Sequence, residues 1–111
     1  MTTESAVRAA LTSLVSSRVY AIGEVPDTPT SPYIVLQVIS TVPGNIKNTD
    51  TQKRVQVDVY ARGYDTAKGL EASVRAAMAA ATFSNCFLVS RDAFDPDVKL
   101  NRQIIDFYAW D

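Results

Sequence analysis

The chain contains no histidine and only one cysteine, Cys86. Without histidine it lacks the commonest general base and the commonest metal ligand. With one cysteine and no histidine, neither a Cys-His nor a Ser-His nucleophile can be assembled. A lone cysteine also excludes an internal disulfide, so the fold does not depend on an oxidising compartment. The four glycines, Gly23, Gly44, Gly63 and Gly69, are too scattered for a phosphate-cradling loop or a dinucleotide fingerprint. No apolar run approaches the ~20 residues a membrane span needs. No basic segment followed by a hydrophobic one opens the chain, so neither a membrane partner nor a secretory route is expected. A net charge of -1 argues against a general binder of nucleic acid or anionic membrane. An enzyme is therefore not expected, and no cofactor is implied.

What is present is ordinary for a folded protein. The 111 residues, 47% hydrophobic and 21% charged, fit one soluble domain spanning residues 1–111, made in a cytoplasm. The clearest signal is the alternation in 54–61. Val55, Val57, Val59 and Ala61 fall on one side of a strand, and Arg54, Gln56, Asp58 and Tyr60 on the other. Asp65 is the expected N-cap of the helix that follows. Ala67, Leu70, Val74, Ala77, Met78 and Ala81 form the apolar stripe of that helix. Lys68, Glu71 and Arg75 lie off the stripe, and Glu71 and Arg75 are spaced for a surface pair.

An earlier helix of about four turns starts at Thr2 or Thr3, with Val7, Ala10, Leu11, Leu14 and Val15 as its inner face. A short strand over 19–22 ends at Gly23, and Pro26, Pro29 and Pro32 punctuate the loop beyond it. Strands are further expected over 33–42, 86–90 and 102–110. Asp92, Asp95-Pro96 and Asp97 mark a turn or bulged loop between the last two. The order α-β-β-β-α-β-β predicts an α+β fold: a mostly antiparallel or mixed sheet of about five strands with both helices on one face.

Two strands are apolar on both sides. Ile34, Leu36 and Val38 oppose Tyr33, Val35 and Ile39, while Ile104, Tyr108 and Trp110 oppose Ile105, Phe107 and Ala109. Helices on one face leave one of these sets uncovered. Either the sheet curls to bury it, or it meets another chain. The segment between the second and third strands is polar. Asn45, Ile46, Lys47, Asn48, Asp50 and Lys53 read as a solvated loop or as a partner-binding one.

The remaining chemistry is sparse. Asp92, Asp95 and Asp97 lack the glycine and closing glutamate of a calcium loop, so a turn is preferred to a metal site. Asp58 and Asp106 are expected to pair with Arg54, Arg62 or Arg102 rather than oppose each other. Cys86 is expected to be buried packing, and Tyr60 and Tyr64 to anchor the strand-helix junction.

Four stretches in this order resemble one family. They are Ser31-Pro32-Tyr33-Ile34-Val35-Leu36-Gln37, Lys53-Arg54-Val55-Gln56-Val57-Asp58-Val59-Tyr60-Ala61, the Tyr64-Asp65-Thr66-Ala67 helix start, and Asp106-Phe107-Tyr108-Ala109-Trp110. Together they are similar to the tail completion proteins of long-tailed bacteriophages and prophages, also called tail terminators or head-tail joining proteins. The resemblance implies a structural, ring-forming subunit, usually a hexamer. Such a ring caps the tail tube, ends its polymerisation, and meets the head connector. DNA only passes through its pore. It would sit in the virion at the head-tail junction, having assembled in the bacterial cytoplasm. The ring symmetry suits a subunit with spare apolar surface, and Leu36, Val38, Tyr108 and Trp110 are the candidate subunit interface. The alternatives are another connector or tail component of the same particle, or a single-stranded nucleic-acid module. The last would use Arg54, Arg62 and Arg102 with Tyr60 and Tyr108 as stacking platforms.

Overall fold

The computed structural model describes residues 3–42 and 52–110. Its elements are α1 (Thr3–Leu11) with a 3-10 turn (Thr12–Val15), β1 (Val19–Ala21), β2 (Tyr33–Val42), β3 (Gln52–Ala61), α2 (Tyr64–Ala80), β4 (Asn85–Asp95) and β5 (Leu100–Trp110). This is the expected α+β order. The five strands form one sheet in the order β1-β2-β3-β5-β4. β1 runs parallel to β2, and every other pairing is antiparallel.

Both helices lie on one face. Val7, Leu11 and Val15 from the first, with Val74 and Met78 from α2, pack on Ile34, Leu36, Val55, Val57, Val59, Ile105, Phe107 and Ala109. The three-residue and four-residue spacing of the helical set meets the two-residue spacing of the strand set. Helix and sheet periodicities are thus satisfied by one shared core. Full burial of each of the larger side chains contributes about 1.5–3 kcal/mol.

Helix ends depart from expectation. The first helix tightens to 3-10 at Thr12 and stops where Ser16 and Ser17 take positive φ, 50° and 68°. Their backbone bonds, Ser17 N to Thr12 O at 2.7 Å and Arg18 N to Val15 O at 3.0 Å, close that end. α2 begins two residues earlier than predicted. Gly63, extended at φ -93°, is the N-cap and offers no side-chain bond, while Asp65 sits within the first turn. There its carboxylate acts on the helix dipole rather than as a cap. At the other end the Asn85 amide donates to the carbonyls of Met78 (3.0 Å) and Phe83 (3.1 Å), tying the end of α2 to the start of β4.

Three further expectations are corrected. β4 does not end at Ser90 but continues to Asp95, because Arg91, Asp92 and Ala93 pair in unbroken register with Ile104, Gln103 and Arg102. Its polar residues mark an outer strand, not a loop. Cys86 is exposed rather than buried, since that strand is the last in the sheet and Cys86 lies opposite Tyr108 on the side away from the helices. Glu71, expected at the surface, is buried. It accepts from the Ser90 hydroxyl at 2.9 Å as well as from Arg75 at 3.4 Å. α2 crosses the sheet closely enough to put this turn against β4, and Ser90 supplies the polar partner that burial requires.

The open sheet face and the outer strand

The face without helices is assembled from the alternate residues of β2, β3 and β5. At one end Tyr33 and Tyr60 stack with ring centroids 4.9 Å apart, and Tyr20 meets Tyr33 edge-on at 6.2 Å. Val35, Leu100 and Val25 complete this small apolar cluster. At the other end Tyr108 and Trp110 lie 6.2 Å apart, both half-buried.

Between the two aromatic groups runs a charged ladder. Arg54 Nη2 donates to Asp106 Oδ2 at 2.7 Å, and Arg102 Nη2 donates to Asp58 Oδ2 at 2.7 Å. The Gln56 amide adds bonds of 3.0 and 3.1 Å to the Asp58 carboxylate. The arrangement has a local pseudo-two-fold. β3 carries Arg54-Val-Gln-Val-Asp58 and β5 carries Arg102-Gln-Ile-Ile-Asp106, and the antiparallel register centres them on the Val57–Ile105 pair. Each arginine therefore crosses diagonally to the other strand's aspartate. Slipping the register by two residues would break both pairs at once, so the ladder specifies the alignment of the two central strands.

Its electrostatics are those of a buried network, not of an acid–base site. Asp58 is held above the usual carboxylate range, chiefly by burial, although Arg102 and Gln56 pull it back. Asp58 lies opposite Ile104 and Asp106 opposite Gln56, so the two carboxylates do not share a proton site. Arg54 Nε, Arg102 Nε and Asp106 Oδ1 are buried without a partner among the described residues. Burial raises the Tyr60 and Tyr33 phenols.

A second polar node fastens β4 to the helix side. Asp92 accepts from Gln103 (2.8 Å), the Tyr64 hydroxyl (2.8 Å) and Lys68 (3.3 Å). These bonds, Gln103 and Tyr64 first, hold its carboxyl below the usual range. Tyr64 thus secures the helix start through its hydroxyl, while Tyr60 acts on the opposite face. Asp95 accepts instead from the Asp97 amide in its own turn, on the other side of the strand, so Asp92, Asp95 and Asp97 do not converge.

The candidate interface residues divide between the two faces. Leu36 is buried in the helix-side core and Val38 packs against that core, whereas Tyr108 and Trp110 are on the open face. Leu36 and Val38 are thus covered by their own chain's helices, and the four do not form one patch. Of the candidate loop, Asn45, Ile46, Lys47, Asn48 and Asp50 lie outside the described residues. Lys53 belongs to β3, with Glu4 of α1 3.8 Å away. The three arginines required for a nucleic-acid face are separated in role. Arg54 and Arg102 are held by aspartates, and Arg62 lies past the end of β3, lining a recess of about 570 Å³ with Asp27, Tyr33 and Leu100.

The strand expected over 86–90 is present within β4, but its place at the edge of the sheet was not foreseen. β4 exposes Val89 (47%) and Phe94 (57%), and Phe87 lies under the Arg75 guanidinium, 4.4 Å from ring centre to Cζ. The charges at Arg91, Asp92 and Asp95 among apolar residues were the available sign, but nothing local distinguishes an edge from a central strand.

Comparison with known proteins completes the picture. A family model described as tail completion protein gp17 matches residues 2–110. Among solved structures, a chain of the virion of a native gene transfer agent particle is similar over 97% of this chain and 92% of its own, with a TM-score of 0.76 and 21% identity. At that identity the likeness is one of fold. Comparison with curated protein sequences finds no match.

Proposed function

Because the chain belongs to the tail completion protein gp17 family, a structural and not an enzymatic one, we propose that it forms a ring that caps the finished tail tube and joins it to the head connector. The match over residues 2–110 carries this reading. The ring, a hexamer by analogy with the family, sits at the head-tail junction of the virion, and DNA passes through its centre. Two features of the subunit support self-assembly. The open face keeps Tyr108 and Trp110 half-exposed beside a charged ladder whose Arg54 Nε, Arg102 Nε and Asp106 Oδ1 have no partner among the described residues, and the outer strand exposes Val89 on one side and Phe94 on the other. Aromatic anchors of this kind dominate the energy of desolvated contacts. Tyr108 and Trp110 are the anchors on this reading, while Leu36 and Val38 act indirectly by holding β2 under the helices. The polar segment 45–50 is the contact for tube or connector on composition alone.

Electron microscopy of the purified protein, alone and mixed with tail tubes, tests the proposal. Rings of uniform diameter that seat on tube ends are expected. Particles that never associate with tube ends would overturn the capping role, and deletion of residues 45–51 should leave rings intact while abolishing joining.

A further inference from the structure

Two stretches of the sheet lack a strand partner among the described residues. β4 is the last strand and pairs only inward, with β5. β2 is covered on its outer side only at the start: β1 pairs with Ile34, Val35 and Leu36, and the Ile22 amide adds one bond to the Leu36 carbonyl at 2.9 Å. Among the described residues nothing pairs with the outer edge of 37–42. Each chain thus presents two different edges, each a row of unpaired backbone donors and acceptors.

The strand senses make these edges compatible. β2 and β5 run one way, and β3 and β4 the other. When two copies stand side by side in the same orientation, β4 of one meets β2 of the next antiparallel, with no inversion of either. The regular part of β4 begins after the irregularity between Phe87 and Val89 and runs from 89 to 95, a length comparable to the open part of β2. That stretch contains neither proline nor lysine, and of its three charged residues, Arg91, Asp92 and Asp95, Asp92 is turned inward to Gln103, Tyr64 and Lys68 of its own chain. Apolar side chains are exposed at both edges, Val89 and Phe94 on one, Ile39 (44%) and Ile22 (60%) on the other.

We propose that copies of this chain join edge to edge, residues 89–95 of one adding antiparallel to residues 37–42 of the next. The contact joins two unlike patches, so it closes a ring if the rotation per copy allows. It rests on the ring assembly proposed above and adds a backbone contact between neighbours to the one made by Tyr108 and Trp110. A two-fold pairing of β4 with β4 would instead stop at a dimer and leave every β2 edge open.

The test uses single-cysteine full-length chains in a Cys86→Ser background. Gln37→Cys and Ala93→Cys both lie on the open face, Gln37 opposite Gln56 and Ala93 opposite Arg102. Co-expressed and treated with a short bismaleimide, the two should form a covalent heterodimer that neither forms alone. A chain carrying both cysteines should yield a covalent ladder ending at the ring's copy number. Self-linking of Ala93→Cys alone would overturn the assignment in favour of a two-fold contact. Rings of normal native mass without the mixed cross-link would overturn it too, while leaving the ring assembly standing. A monomer at all concentrations would overturn both. As a second route, Val89→Lys with Phe94→Lys should raise the concentration needed for assembly about tenfold or more, with unchanged far-UV circular dichroism. Unchanged assembly in that variant would count against the edge contact.

Discussion

The two faces of the sheet are made from the same three central strands, yet they are stabilised in different ways. The helix side is apolar and continuous, with Val55, Val57 and Val59 of β3 beside Ile105, Phe107 and Ala109 of β5. On the open side the same strands carry Arg54, Gln56 and Asp58 beside Arg102, Asp106, Tyr108 and Trp110. The first face supplies stability through burial, which a slip of two residues would largely preserve. The second supplies alignment through paired charges, whose net contribution to stability is small because desolvation offsets the attraction. One face holds the subunit together, and the other fixes its register and remains available to a neighbour.

Substitutions on the two faces should separate these roles. The largest loss is expected from Phe107→Ala, which empties the centre of the helix-side core and should cost about 3–5 kcal/mol of folding stability in chemical denaturation. A cost under about 1 kcal/mol would mean that the core lies elsewhere. Next is Arg102→Ala, which leaves Asp58 buried without its cation and should cost about 3 kcal/mol at neutral pH. The pH dependence of that loss has a definite sign. Burial raises the folded pKa of Asp58 above its unfolded value, and removing Arg102 raises it further. The protonated form thus favours the fold below the unfolded pKa of about 4, and this contribution is lost as pH rises through the folded pKa. The deficit of Arg102→Ala relative to wild type should therefore shrink on acidification. Replacing the pair together, Arg102→Met with Asp58→Leu, should restore most of the stability; a double variant as unstable as the single would show that the pair does more than neutralise itself.

Trp110→Ala should act on assembly rather than folding. It is expected to weaken subunit association by about 2 kcal/mol while leaving the denaturation midpoint of the dissociated subunit, measured at high dilution, nearly unchanged. The smallest effect should come from Asp92→Asn. Gln103 and Tyr64 hold this exposed carboxyl below the usual range, so its contribution is present above the unfolded pKa and lost as pH falls through the depressed folded one. The variant should be slightly less stable than wild type at neutral pH and indistinguishable in strong acid. A difference that persists in acid would remove the charge from the explanation.

The pattern of the central strands made the architecture legible in the sequence. β2 spans Tyr33–Val42 as expected, and the Val55-Val57-Val59 alternation places one face of β3 correctly, because period-two apolar spacing reports directly on a half-buried strand. Alternation could not say which side the helices take. That is why Leu36 and Val38 were grouped with Tyr108 and Trp110, although the sheet puts them on opposite faces. The position of β4 at the edge was equally hidden, since it follows from strand order, not from local composition. Cys86 and Glu71 were misplaced for that reason: one lies on the outer strand, and the other is buried against it. The arginine–aspartate pairs were expected, but their diagonal geometry depends on the β3–β5 register. The two Arg-x-x-x-Asp stretches were its visible trace.

The most direct test of a subunit that is complete only among its neighbours is the native mass of the full chain over a concentration series, followed by analytical ultracentrifugation beside Trp110→Ala. Wild type should sediment as one closed oligomer from micromolar concentration upward, while the variant dissociates with its circular dichroism unchanged. A wild-type chain that remains a monodisperse monomer at millimolar concentration would contradict it.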